Sequence, residues 1–327
     1  MDTTGPVLRA VARTPGGPEV LVLERVPRPA PGPGEVVIAV QAAGVAFGDV
    51  QARQGRLPGR FPRTPGYDVV GHVTALGQGV EDLVVGQRVA AFTGTGGYTT
   101  AAVARAALSV PVPEDLDAAR LSALVLNYAT AWQMLHRAAQ VPAGGSVLVL
   151  GAAGGVGSAL GELALAEGVT VYGTASPPRR AALAARGVLV VAGPEELPAP
   201  VDVVLDSVGG PSLARSRRAT TRSGTVVAFG ISHANTANLS RVRGLAAAVG
   251  ALARARVTPG PRVVNFVILT SVKRDPAAFR QDLTHLVELL QAGTIDPEVT
   301  TMPLSEVAEA HRLLEARQVV GKLVLTT

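Results

Sequence analysis

Cysteine is absent from all 327 residues, which excludes disulfides, thiol nucleophiles, iron–sulfur clusters and any Cys-ligated zinc site. Aromatic residues make up only 3% of the chain, too few for the stacking platforms that grip single-stranded nucleic acid. Lysine occurs only at Lys273 and Lys322, so the 30 basic side chains are nearly all arginine, and against 25 acids they leave a formal charge of +5. That excess is mild and scattered, with no basic block, so no nucleic-acid partner is expected. No charge-free apolar run reaches the roughly 20 residues of a membrane span, and no basic–apolar–small-residue leader is read at the start. The expectation is a cytoplasmic protein with no membrane partner. A hydrophobic fraction of 47% against 17% charged argues against disorder. The length itself predicts about two domains.

The first third is rich in Pro and Gly and reads as short strands joined by turns, at Val20–Arg25, Glu35–Ala43, Val69–Leu76 and Gln87–Phe92. A different texture begins near Pro113. Asp115 or Asp117 caps a helix through Ala118–Arg137, and Ser146–Leu150 is a continuous apolar run of the kind buried on both faces. Strand-like runs recur at Val169–Tyr172, Val188–Val191, Val201–Asp206, Thr225–Phe229 and Val263–Leu269, with helical stretches between several of them. Ser176 caps one of those helices, with Pro177 at its first position. Strands alternating with helices predict βαβ units and a parallel sheet. Asp275-Pro276 then opens an amphipathic helix that Gly293 ends, another helix follows Ser305, and the chain finishes on the strand Leu323–Leu325.

The sharpest motif is Gly151–Gly157 (GAAGGVG), set between the strand Ser146–Leu150 and an apolar helix. Read against the dinucleotide fingerprint G-x-G-x-x-G, Ala152 takes the first place, Gly154 the second and Gly157 the third. A bulky side chain at the second place would hold the backbone away from a pyrophosphate, and the third lets helix and strand pack closely. Helix-start N–H groups then meet the phosphates. At the end of the next strand NAD enzymes keep a carboxylate for the ribose hydroxyls. Here the chain reads Gly173–Arg180 (GTASPPRR), so Ser176, Arg179 and Arg180 replace it. A hydroxyl and two guanidinium groups suit the 2′-phosphate of NADPH, with Arg180 the favoured contact.

These residues resemble the zinc-independent branch of the medium-chain dehydrogenase/reductase superfamily, the quinone oxidoreductase-like and VAT-1-like proteins. The resemblance covers the whole chain and is carried by Phe47–Gly55 (FGDVQARQG), Pro65–Gly71 (PGYDVVG), Asn127–Trp132 (NYATAW), the glycine loop, Asp202–Gly209 (DVVLDSVG) and Gly321–Leu325 (GKLVL). It implies an α/β fold: a GroES-like, β-rich, partly open barrel interrupted by an inserted Rossmann domain, a doubly wound parallel sheet. The expected boundaries are residues 1–123, 124–270 for the NADP-binding insert, and 271–327 for the return. It also implies a homodimer in which an edge strand such as Val263–Leu269 pairs across the interface, and hydride transfer from NADPH to a small, largely apolar unsaturated carbonyl compound or quinone in the cleft between domains.

Carried over by position, Thr130 lies near the nicotinamide, and Gly154, Gly155, Val156 and Gly157 follow the phosphates. Ser176, Arg179 and Arg180 match adenosine-phosphate positions. Ser207, Val208, Phe229 and Gly230 line the nicotinamide side, and Lys322 reaches toward the phosphates. Phe47, Tyr67, Asn127 and Tyr128 are the substrate candidates, while Tyr67, Asp49 and Thr130 are the catalytic ones. No metal is expected. The Gly-His-Glu motif of zinc-dependent relatives stands here as Gly66-Tyr67-Asp68, and the five histidines (72, 136, 233, 285, 311) lack ligand spacing. Three departures leave other functions open. Ala46 replaces a frequent Asn, Leu57 stands near the Tyr proton donor of enoyl-thioester reductases, and Ala192 stands where quinone reductases tend to have Tyr. The alternatives are thus an enoyl-thioester reductase and a non-catalytic VAT-1-like binding or scaffold protein.

Overall fold

A computed structural model describes residues 5–229, 250 and 259–327. The chain divides into two compact units, Met1–Ala129 with Ser271–Thr327, and Thr130–Thr270. The division falls six residues later than the boundary expected at 123/124, within a stretch of continuous helical backbone.

In the first unit, the hairpin β1 (Val7–Ala12) and β2 (Leu21–Val26) stands beside a larger sheet. That sheet is built on β3 (Glu35–Val45), which pairs antiparallel with β4 (Asp68–Leu76), β6 (Ala101–Arg105) and β15 (Lys322–Thr326). β5 (Arg88–Phe92) and β7 (Ser109–Pro111) extend it beyond β4, and β14 (Val299–Pro303) runs parallel to β15 at the other edge. The chain's end therefore lies against an N-terminal strand. Alternation along β3 explains the register: Val36, Ile38 and Val40 face one core, and Val37 faces a smaller cluster with Val7 and Ala101. Each such fully buried aliphatic side chain contributes roughly 1.5–3 kcal/mol of transfer free energy. This is the GroES-like β-domain.

Between β3 and β4 lies a helix that strand periodicity hides, α1 (Phe47–Arg53), in which Asp49 Oδ2 takes the Ala46 N–H at 2.9 Å. The long helical stretch begins as α2 (Ala118–Ala123), capped by Asp117 rather than Asp115, through the Arg120 N–H at 2.8 Å. It widens into π-turns at Leu124–Tyr128, returns to α-geometry in α3 (Ala129–Trp132), and widens again over Gln133–Ala139, where Gln140 ends it with φ 56°.

The second unit is a six-stranded parallel sheet ordered β10-β9-β8-β11-β12-β13. Its strands are β8 (Ser146–Leu150), β9 (Thr170–Gly173), β10 (Leu189–Val190), β11 (Val201–Asp206), β12 (Thr220–Ala228) and β13 (Arg262–Asn265). Counted from β8, the order is 3-2-1-4-5-6, that of a dinucleotide-binding Rossmann sheet, with its switch point between β8 and β11. Leu148, Leu150, Val204 and Val226 pack as one core, which is why these strands read as unbroken apolar runs. α4 (Gly155–Ala166) follows β8, while α5 (Arg180–Ala185) and α6 (Ser212–Arg218) follow β9 and β11.

Two local expectations are corrected. Val263–Leu269 is strand only to Asn265, and Ile268–Arg274 forms α7, since a short apolar run does not distinguish strand from helix. Ser176 makes no side-chain cap; the chain turns through Pro177–Arg179 in 3₁₀ geometry before α5 begins. The amphipathic helix after Asp275 forms as expected in α8 (Pro276–Gln291), capped by Asp275 on the Ala278 N–H at 2.9 Å, and α9 (Val307–Glu315) follows.

Candidate active site

In the second unit, the loops after β8 and β11 leave the sheet where its strand order reverses. The glycine loop is tied to β9 by Thr174, whose Oγ1 takes the Gly151 N–H and whose carbonyl takes the Ala152 N–H, both at 2.9 Å. The Gly157 backbone lies so close to the loop that a Cβ there would collide with Gly151 O and Ala152 Cα. At Gly154, by contrast, an added Cβ would meet only Gly151 O, at 3.4 Å. Gly154 is also the N-cap of α4 and offers no side-chain cap, so the first-turn N–H groups at Gly155, Val156 and Gly157 have no intrahelical acceptor. A helix start with open backbone donors and no side chain in front of it fits a pyrophosphate.

Three further observations fit a nicotinamide dinucleotide. Thr130 Oγ1 is buried without a hydrogen-bond partner, a hydroxyl in need of a polar group. β9 ends without a carboxylate: Ser176 and Arg180 are exposed there, and Arg179 reaches back so that its Nη1 lies 3.5 Å from Ala153 O of the glycine loop. Arg180 Nε instead lies 3.3 Å from Ala175 O, which makes Arg179 the arginine nearer the loop. Finally, Asp206, fully buried at the end of β11, accepts from the Val208 and Gly209 N–H groups and from Ser212 and Ser216 Oγ at 2.5–2.9 Å. It fixes the turn that carries Ser207 and Val208, and Ser207 Oγ donates to Leu150 O at 2.7 Å. Phe229 follows β12, half-buried, its N–H on Asp206 O at 3.0 Å; Gly230 lies outside the described residues. Thr174 and Asp206 were not among the predicted site residues. A carboxylate closing an apolar strand just before Ser-Val-Gly was the available signal for Asp206.

In the first unit, Tyr67 and Asp49 come together. Asp49 Oδ1 takes the Gly66 N–H at 2.7 Å, and Oδ2 takes the Ala46 N–H and the Tyr98 hydroxyl at 2.9 and 3.0 Å. Burial nevertheless raises the Asp49 carboxyl from 3.8 to about 6, these hydrogen bonds only partly opposing the desolvation. Behind it, Tyr98 Oη lies 3.2 Å from His311 Nε2, and Arg53 Nη1 lies 3.5 Å from His311 Nδ1. Arg53, fully buried, pairs with Glu315 at 2.6 Å. Burial, then the Arg53 charge, pushes His311 down from 6.5 to about 3, so the imidazole is neutral.

Tyr67 is half-buried, and burial and the Asp49 charge raise its phenol, which keeps its proton at neutral pH. Phe47 is 42% exposed, whereas Asn127 and Tyr128 are buried in the π-turns. Lys322 departs from expectation. Its Nζ lies 3.0 Å from Asp68 Oδ2 with both side chains buried, so its charge is neutralised inside the β-domain rather than offered to a phosphate.

Comparison with known proteins agrees with both units. The alcohol dehydrogenase GroES-like domain matches residues 32–114, and a zinc-binding dehydrogenase family matches residues 186–325. Cysteine is absent from the chain, and no group of three His, Asp or Glu side chains able to hold a metal occurs among the described residues. The synaptic vesicle membrane protein VAT-1 homolog of Rattus norvegicus is 32% identical over 344 residues, covering 98% of this chain and 84% of its own. No helix among the described residues is long and apolar enough to cross a membrane. The quinone oxidoreductase of Pseudomonas syringae superposes with a TM-score of 0.85 at 28% identity over 98% of this chain and 100% of its own. A mycobacterial protein solved with NADPH superposes with a TM-score of 0.83 at 28% identity, also over 98% and 100%. The chain belongs to the medium-chain dehydrogenase/reductase superfamily, in its quinone oxidoreductase- and VAT-1-like branch.

Proposed function

We propose that this protein is an NADPH-dependent oxidoreductase that reduces a quinone or an α,β-unsaturated carbonyl compound without zinc. The observation that carries the reading is the uncapped start of α4 behind the side-chain-free Gly154, at the β8–β11 switch point of a 3-2-1-4-5-6 sheet. When bound, reduced nicotinamide supplies a hydride. The N–H groups at Gly155, Val156 and Gly157 would hold the pyrophosphate, and Arg179, Arg180 and Ser176 would hold the 2′-phosphate, where a carboxylate would repel it. Thr130 Oγ1, buried without a partner, would take a polar group of the nicotinamide, and Ser207, Val208 and Phe229 would help to hold its ring.

On the substrate side, Phe47 supplies apolar surface and Tyr67 the proton. After hydride arrives at the β-carbon of an enone, the α-carbon carries the negative charge. The Tyr67 O–H bond breaks as the α-carbon–hydrogen bond forms, and the phenolate regains its proton from water. Asp49, with its oxygens engaged, serves as a support rather than a reacting group. The functional protein is a homodimer in this proposal.

The test is loss of NADPH absorbance against quinones, α,β-enones and crotonyl-CoA, with NADPH and NADH affinities measured in parallel. Turnover with quinones or enones is expected. Tight NADPH binding with no turnover anywhere would leave a binding protein, and turnover of crotonyl-CoA alone would make it a thioester reductase.

A further inference from the structure

We propose that Tyr98 and His311, acting through Asp49, form a positioning chain that fixes the Tyr67 phenol, an inference that rests on the proton-donor reading of Tyr67.

The hydrogen-bond directions in the chain are determined. Arg53 can only donate, so His311 Nδ1 accepts, and the proton of the neutral ring sits on Nε2. Nε2–H therefore donates to Tyr98 Oη, and the Tyr98 hydroxyl donates to Asp49 Oδ2. Asp49 passes this fixed orientation on through Oδ1, which takes the N–H of Gly66, the residue preceding Tyr67.

The segment so held has little other freedom. Gly66 has φ +107°, and a Cβ on it would come within 2.7 Å of Gly97 Cα and Tyr98 N. Thr93 and Gly94 donate their N–H groups to Tyr67 O at 2.8 and 3.1 Å. On the far side, Asp68 is pinned by Lys322 Nζ, by Ser122 Oγ at 2.6 Å and by the Gly44 N–H at 3.1 Å. The Tyr67 ring leans on Phe92, with centroids 6.4 Å apart, and its hydroxyl lies over Gly48, where a Cβ would stand 2.8 Å from Oη. Among the described residues, nothing hydrogen-bonds to that hydroxyl. A phenol whose backbone is fixed on both sides and whose ring rests on Phe92 and Gly48, with its reactive atom left without a hydrogen bond, is preorganised for transfer.

The chain has four tyrosines, so protein labelled with 3-fluorotyrosine gives four fluorine resonances, and Tyr67→Phe assigns one of them. Tyr98→Phe removes a single hydroxyl from the positioning chain. It is expected to shift the Tyr67 resonance, to lower kcat about tenfold with KM changed less than about twofold, and to leave NADPH affinity unchanged. In a Tyr67→Phe background it should cost nothing further. An unmoved Tyr67 resonance, or an equal kcat loss in both backgrounds, would overturn the proposal. If no substrate is turned over, the fluorine signal alone decides the positioning, so failure of the reaction reading stays separate. Should Tyr98→Phe not fold, the unaltered protein serves. Asp49, which faces the Ala46 and Gly66 N–H groups and Tyr98 and feels the Lys322 charge, gains its proton near pH 6. The Tyr67 resonance should titrate there, and a flat trace would overturn the proposal equally.

Discussion

Lys322 Nζ stands 3.0 Å from Asp68 Oδ2, and both side chains are sealed from solvent. A lysine in a short apolar strand at the chain's end thus neutralises a carboxylate 254 residues away, at the start of β4 and next to Tyr67. Removing one member of such a pair leaves an uncompensated buried charge. Lys322→Met is expected to cost about 3–5 kcal/mol of stability, measured by denaturant unfolding, and to leave NADPH affinity unchanged. The reverse outcome, weaker NADPH at full stability, would return Lys322 to the cofactor site.

Two glycines in one loop should behave differently. Gly157→Ala drives a methyl into Gly151 O and Ala152, so it should destabilise the fold by several kcal/mol. Gly154→Ala finds open space on the protein side, so the melting temperature should barely move while NADPH affinity falls at least about tenfold. Equal NADPH affinity in Gly154→Ala would mean that the pyrophosphate lies elsewhere.

The two arginines after β9 should separate the cofactors. Arg179→Ala is expected to weaken NADPH by roughly tenfold or more while NADH is unaffected, because only NADPH carries the 2′-phosphate. Arg180→Ala should act in the same direction but less strongly, since Arg179 is the one reaching the loop at Ala153 O. Parallel losses for both cofactors, read by fluorescence titration, would contradict the 2′-phosphate assignment.

His311 predicts a pH dependence of stability. The unfolded chain takes up this proton near pH 6.5, and the folded chain refuses it until about 3. Its contribution is therefore complete above about 6.5 and is lost as pH falls through that window. Asp49 works oppositely: the folded chain binds its proton first, between about 6 and 3.8, so its ionisation costs stability at higher pH. The His311 displacement is the larger, and the balance is loss toward acid. His311→Gln can still accept from Arg53 and donate to Tyr98, so it should flatten the fall of Tm across the window. An unchanged slope would place the acid sensitivity in other groups.

Much of the nucleotide-binding unit was legible because its signals are local. The unbroken apolar run of β8, the glycines at fixed offsets and the start of α4 all lie within about twenty consecutive residues, and backbone sterics link them directly. Helix caps at Asp117 and Asp275 are equally short-range. Where local signals compete, reading fails. Val263–Leu269 reads as one apolar strand, yet the strand ends at Asn265 and α7 begins at Ile268, and α1 hides behind Gly48 and a β-branched neighbour.

By itself the sequence determined the kind of sheet, the glycine loop between β8 and α4, the lack of a carboxylate just after β9 and the absence of thiol ligands. Each of these depends on residue identity or on spacing within one βαβ unit. Tertiary structure alone decided which buried titratable groups meet. His311 reaches Arg53 across 258 positions and Tyr98 across 213, and Lys322 reaches Asp68 across 254. The physical reason is desolvation. A titratable side chain in a sequence is indistinguishable from a solvated one until folding strips its water, and only then must it find its partner or change its protonation.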